Sequence, residues 1–224
     1  MYEKTITRLQ NKDYQLFDVV IKKRDGEKAF HTVTVDGDIN SKCAVIYGDN
    51  ASGKSLIATL MELQLKDDGI YSRSANMNNR TRGGVERAMV FGDESTSSTG
   101  AMSLKVAMKS LKATAAAGKP AVSILDEPDI GLSPYYARAF GSHIANEYNA
   151  MDDDKGLIMV SHSTELMQNF LDGLDKPYVA IGINTDKSLS EWMANEESAT
   201  IEELLDLYDY SREKEFSITN QLKN

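Results

Sequence analysis

Residues Gly48-Asp49-Asn50-Ala51-Ser52-Gly53-Lys54-Ser55 fit the spacing G-x-x-x-x-G-K-[ST]. Glycines at that spacing let consecutive backbone N–H groups curl around phosphate oxygens, and a helix beginning there adds a favourable dipole. Lys54 would neutralise β- and γ-phosphates, and the Ser55 hydroxyl would ligate Mg²⁺. A glycine-containing strand-to-helix turn without a ligand is the alternative. Two acids, Asp126 and Glu127, end the apolar run Ala121 to Leu125. Asp126 is suited to hold Mg²⁺ through a water, and Glu127 to polarise an attacking water. Alone, such a pair more often starts a solvated loop; together with the 48–55 loop that balance reverses. Ser161-His162 closes a third apolar run, where His162 is read as a γ-phosphate sensor rather than a surface or core histidine.

The elements that must position these groups are legible as alternating patterns. Cys43–Tyr47, Ala121–Leu125, Leu157–Val160 and Tyr178–Ile183 are apolar at nearly every position, as strands buried on both faces of a parallel sheet are. Helical patterns fall at 54–65, 102–117, 134–149 and 164–173, with Pro134 behind Ser133 as a first helical residue. A final helix, 201–210, opens on the capping-box pattern Thr200-Ile201-Glu202-Glu203 and sets Ile201, Leu204, Leu205 and Tyr208 on one face. Before the first apolar strand, Tyr14–Ile21 and Phe30–Val35 are rich in β-formers, with Asp25-Gly26 and Asp36-Gly37 as turns. The expectation is a single α/β domain over 1–224: an antiparallel β flank at 1–42, a mostly parallel sheet flanked by helices, a short insert at 66–97, and a C-terminal helix and tail at 199–224. Ligands of open α/β sheets bind at the carboxyl edge, where Asp126, Glu127 and His162 all fall.

Charge excludes some partners. The 224 residues carry a net −9, and 16 of the 34 acids but only six of the 25 bases lie in 151–224. A generally basic nucleic-acid coat is excluded, while a local basic patch earlier in the chain is not. The single Cys43 excludes an internal disulfide framework and a multi-cysteine metal site. No apolar run reaches membrane-spanning length, and Met1-Tyr2-Glu3-Lys4 does not read as a signal peptide, so a cytoplasmic protein without membrane insertion is expected.

The 48–55 loop, Asp126-Glu127-Pro128 and His162, in this order, resemble the ATP-binding-cassette (ABC) ATPases, a P-loop NTPase family. Leu125-Asp126-Glu127-Pro128-Asp129-Ile130-Gly131-Leu132-Ser133-Pro134 is similar to the form found in soluble, non-transporter members, the RecF/SMC-related and overcoming-lysogenization-defect-like ATPases. The resemblance implies ATP and Mg²⁺ as cofactors, Glu127 as catalytic base, Asp126 and Ser55 around Mg²⁺, His162 as switch histidine, and a head-to-tail homodimer. It also implies a signature loop that completes the partner's site, for which Ser97-Ser98-Thr99-Gly100-Ala101-Met102 is the candidate, with a capped helix as the alternative. Ala101 and Met102 depart from the family's pattern. No glutamine takes the expected Q-loop place: Gln64 falls at the end of the preceding helix, and Asp93 or Glu94 would substitute. The 66–97 insert is short for a helical subdomain, and Phe17 and Phe30 are candidates to stack on adenine, with core packing the more ordinary role for each.

Three functions compete on these residues: an ATP-gated dimeric clamp driving a protein effector in DNA metabolism or defence, the ATPase subunit of a membrane transporter, and a non-catalytic nucleotide-gated binding module. The short insert and Ser133 disfavour the transporter, and intact Lys54 and Glu127 disfavour the third. Asn184-Thr185-Asp186-Lys187 lacks the order that reads guanine. Four of the eight arginines, Arg73, Arg80, Arg82 and Arg87, cluster in the insert, as a solvated loop or as phosphate contacts to ATP or nucleic acid. If they hold nucleic acid, Arg80→Glu with Arg82→Glu weakens binding and flattens its salt dependence in a filter-binding titration. A parent chain without measurable binding closes that option.

Overall fold

The computed structural model describes residues 1–11, 32–75, 98–195 and 197–207. Helix α1 (Glu3–Gln10) and strand β1 (Val33–Gly37) precede β2 (Cys43–Tyr47), α2 (Lys54–Asp67) and β3 (Tyr71–Ala75). There follow α3 (Thr99–Ala115), β4 (Ala121–Asp126), α4 (Pro134–Asn149), β5 (Lys155–Val160), α5 (Thr164–Asp172), β6 (Val179–Ile183) and α6 (Leu189–Met193). Residues 201–207 are again helical. The six strands form one sheet in the order β1-β6-β2-β5-β4-β3. All neighbours are parallel except β1, which runs antiparallel to β6 with Val35 opposite Ile181.

Alternation along the central strands explains why the sheet needs helices on both faces. In β2, Cys43, Val45 and Tyr47 face a core with α3, α4, α5 and α6, among them Leu111, Phe140, Ile144, Met167 and Phe170. Ala44 and Ile46 face the opposite core with Tyr2, Ile6 and Leu9 of the α1 region and Ile57, Met61 and Leu65 of α2. Every residue of β2, β5 and β6 is buried, and each fully buried aliphatic side chain contributes on the order of 1.5–3 kcal/mol. Polar and charged groups are thereby pushed toward the strand ends. At the carboxyl edge the register aligns Ile46 and Asp126 with Val160, and Tyr47 with Gly182.

The N-terminal flank differs from the antiparallel sheet expected over 1–42. Residues 3–10 are helical, anchored by the buried Tyr2, whose hydroxyl donates to the carbonyls of Lys42 and Leu157 at 3.1 and 3.3 Å. β1 is an antiparallel flank strand, and Asp36-Gly37 ends it rather than turning. Tyr14–Ile21, Asp25-Gly26, Phe17 and Phe30 lie outside the described residues. The insert expected at 66–97 is also corrected at its start. Lys66 and Asp67 finish α2, and residues 71–75 are β3, a sheet-edge strand whose register pairs Arg73 with Ser123. Its polar residues kept it from reading as a strand. At the C-terminus Thr200 and Glu203 form the expected capping box, and Ile201, Leu204 and Leu205 are exposed, while Tyr208 lies outside the described residues. Among the described residues no helix is long and apolar enough to cross a membrane.

Because Ile6 is fully buried between α1 and α2, Ile6→Ala should cost about 2–5 kcal/mol. Urea unfolding should show a lower midpoint with an unchanged slope. A midpoint equal to that of the parent would mean that α1 does not dock.

Candidate functional site

The 48–55 loop leaves the buried end of β2 through backbone that most side chains cannot adopt. Gly48 has φ +140°, and a Cβ there would lie 2.5 Å from the Ile183 carbonyl oxygen. Ala51 is left-handed at φ +58°, and Gly53 at φ +105° is the N-cap of α2 with no side-chain cap. The first N–H groups of an α-helix have no intrahelical partner, so this uncapped turn offers donors to an anion. Lys54 is only 5% exposed, and its Nζ donates to the carbonyls of Gly48 and Asp49 at 2.8 Å each. Burial pulls its pKa below the ordinary lysine value, opposed by the negative charges of Glu127, Asp49 and Asp126. The Ser52 hydroxyl is buried with no hydrogen-bond partner, which costs on the order of 1–3 kcal/mol until a polar group reaches it. Asp49 and Asn50 are exposed at the crest.

The carboxylates and the histidine arrive from the neighbouring strands. β4 ends at Asp126, whose Oδ1 accepts from the Ser55 hydroxyl at 3.2 Å across the sheet edge. These two hard oxygens are a donor pair that suits Mg²⁺, which keeps several waters and is otherwise held by phosphate. Among the described residues no cluster of three or more His, Cys, Asp or Glu surrounds a metal-sized site. Glu127 turns the chain out of β4 at φ +50°, pinned by its N–H on the Val160 carbonyl at 2.8 Å. A non-glycine residue held there carries strain of order 1–3 kcal/mol, and such residues cluster at working sites. Its Oε1 lies 3.2 Å from Nδ1 of His162, at the end of β5. That hydrogen bond raises the His162 pKa, with burial opposing and the negative charges of Glu127 and Asp129 adding to it. Ser161, fully buried, donates to Asp129 at 2.9 Å and accepts from the Ser163 N–H, fixing the turn that carries His162.

The other sequence candidates are distributed differently. Ser98 caps α3 by accepting from the Ala101 N–H, and Thr99 beside it is exposed. Gly100 is buried against the loop after β4: a Cβ there would lie 2.5 Å from the Gly131 carbonyl oxygen. The Ser103 hydroxyl adds a bond to the Ile130 carbonyl at 2.9 Å. The N-terminus of α3 therefore seats on its own chain's 129–132 loop. Gln64 is buried in α2. Arg73 is half-buried in β3, while Arg80, Arg82, Arg87, Asp93 and Glu94 lie outside the described residues.

Two residues at this edge escaped the sequence reading. Asn184 follows β6 at φ +54° and donates from Nδ2 to the Ser52 carbonyl at 2.7 Å. Trp192 in α6 donates from Nε1 to Oδ1 of Asp49 at 3.0 Å. Nothing in their local sequence signals these roles. No protein-family model, curated protein or solved structure matches the chain significantly.

The His162–Glu127 bond makes a pH prediction with a definite sign. A raised folded pKa means the protonated pair stabilises fully below the ordinary value of about 6.5, and loses that stabilisation as pH rises through the folded value. The effect on stability is small because the His162 side chain is 44% exposed. NMR titration should place the His162 midpoint above its ordinary value, and Glu127→Gln should lower it. Identical midpoints in the two proteins would contradict the pairing.

Proposed function

We propose that this chain is a P-loop ATPase of the ABC type, acting as an ATP-gated dimeric clamp on a protein effector, in DNA metabolism or defence. The observation that carries the reading is convergence at one sheet edge. Ser55 meets Asp126 at 3.2 Å, and Glu127 meets His162 at 3.2 Å, beside the buried ammonium of Lys54. A ligand-free glycine turn needs none of these groups together. An orphaned Ser52 hydroxyl and an uncapped α2 N-terminus further suit a polyanion.

In this reading the N–H groups of 48–55 and Lys54 hold the β- and γ-phosphates of ATP. Lys54 exchanges its Gly48 and Asp49 carbonyls for phosphate oxygens. Mg²⁺, held by Ser55 and Asp126, would neutralise charge on the phosphates when bound. Glu127 orients a water and takes its proton as the water oxygen attacks the γ-phosphorus. The bond to the bridging oxygen breaks, and ADP leaves. His162 is held by Glu127 where it can donate to a γ-phosphate oxygen, so its raised pKa favours the donor form. Most of the acceleration is positioning and charge stabilisation.

A second copy completes the site with Ser98 and Thr99. The exposed Ser98 and Thr99 at the N-terminus of α3 are suited to the phosphate across the dimer, while the buried Gly100 seats that helix on its own 129–132 loop. Both copies then contact one γ-phosphate, and hydrolysis removes the link.

Glu127→Gln is expected to trap an ATP-bound dimer with little turnover. Size-exclusion chromatography at saturating Mg·ATP checks this, and a persistent monomer sinks the clamp. Lys54→Ala should weaken ATP binding at least tenfold by calorimetry, since a buried charge contact is lost. An unchanged Kd would count against the 48–55 assignment.

A further inference from the structure

We infer that Asn184 and Trp192, both on the segment after β6, are positioning residues that hold the 48–55 loop in the shape that receives phosphate. The inference rests on the nucleotide-binding reading above.

The loop is tied covalently to β2 and α2, but those ends do not fix its crest. Two side chains from outside do. Asn184 Nδ2 donates to the Ser52 carbonyl at 2.7 Å, and Trp192 Nε1 donates to Oδ1 of Asp49 at 3.0 Å. Both atoms they hold are acceptors, which would repel phosphate oxygens. Engaging them with donors from the β6 side occupies both acceptors; of the loop's own N–H groups, that of Ser52 is spent on the Asp49 carbonyl at 3.2 Å. Asp49 presents the sharper conflict, being a carboxylate inside a loop proposed to take a polyanion. Trp192 tethers it and shares its charge.

Both anchors are themselves held firmly. Asn184 exchanges two bonds with Thr32: its N–H reaches the Thr32 carbonyl at 2.9 Å, and its Oδ1 accepts from the Thr32 N–H at 3.0 Å. Its left-handed backbone, φ +54°, is one that asparagine tolerates better than most residues. Trp192 is 8% exposed and lies against Tyr47, with ring centroids 5.7 Å apart. The Tyr47 hydroxyl in turn donates to the Lys187 carbonyl at 2.9 Å. The capping box of Ser188 and Glu191 fixes the start of α6. The segment from 184 to 192 is thus braced against the end of β2 and the start of β1, and holds the loop from there.

Two conservative variants separate positioning from packing. Asn184→Asp keeps the shape, the tolerance of positive φ and the acceptor for Thr32, but cannot donate to Ser52. Trp192→Phe keeps an aromatic ring against Tyr47 and loses the donor to Asp49. Each should raise the Kd for ATP, by calorimetry, roughly three- to tenfold, the worth of one hydrogen bond. Each should raise the KM for ATP by a similar factor with kcat within twofold, because neither touches Glu127 or His162. A purely structural role would lower the melting temperature and leave Kd unchanged on folded protein. If Asn184→Asp does not fold by circular dichroism, Asn184→Gly, which keeps the backbone freedom, replaces it and should show the same weakening. A parent that binds ATP, with both variants within twofold of its Kd, overturns the inference alone. A parent that does not bind ATP overturns the nucleotide reading and the inference with it.

Discussion

A buried ammonium must be surrounded by oxygen, and much of this molecule's carboxyl edge can be traced to how Lys54 meets that demand. Its charge sits at the first turn of α2, where the helix dipole is unfavourable to a cation. Two carbonyls at 2.8 Å and three nearby carboxylates compensate. For the carbonyls to reach Nζ, the chain must fold back over the lysine, which requires the positive φ of Gly48 and its close approach to Ile183. For the carboxylates to be near, β4 must end at the same edge as β2. A ligand able to supply anionic oxygens would relieve the arrangement, which is why a phosphate site is its natural chemical reading.

Sheet order determines how the carboxylates and the histidine are arranged. β5 lies between β2 and β4, so the turn carrying His162 leaves the sheet between the strands that lead to the 48–55 loop and to the Asp126-Glu127 pair. Neighbouring parallel strands are about 4.8 Å apart, so side chains from three consecutive ends can meet around one small group. Backbone strain is concentrated there as well. The three left-handed non-glycine residues among those described, Ala51, Glu127 and Asn184, all lie at this edge, on three separate connections. Relaxing any one of them would shift a group the proposed chemistry uses, so the tightly packed sheet beneath stabilises a conformation the loops would not adopt alone.

The central strands and the long helices were legible because burial on both faces leaves uninterrupted apolar runs. Cys43–Tyr47 and Pro134–Asn149 have the boundaries their residues suggest. Elements at the periphery were not legible. β3 is Tyr71-Ser72-Arg73-Ser74-Ala75, a half-buried edge strand whose polar residues look like loop, and α1 is short with no side-chain N-cap. The catalytic candidates could be read because their chemistry is encoded in local spacing. Asn184 and Trp192 act over long sequence separations on a carbonyl and a carboxylate, and no local pattern marks such contacts. The packing of Gly100 on Gly131 was hidden for the same reason: a glycine in a Ser/Thr-rich stretch reads alike as an anion cradle or as room for a neighbouring backbone.

In the proposed reading, Ser55, Asp126, Glu127 and His162 form one hydrolytic centre around Lys54. Its most direct test is steady-state release of inorganic phosphate from ATP by the purified parent chain, with and without Mg²⁺. Release should depend on Mg²⁺, saturate with ATP and fall roughly 10²-fold or more in Glu127→Ala, the loss typical of a positioned general base. Absence of release by the folded parent, or equal release by parent and Glu127→Ala, would contradict it.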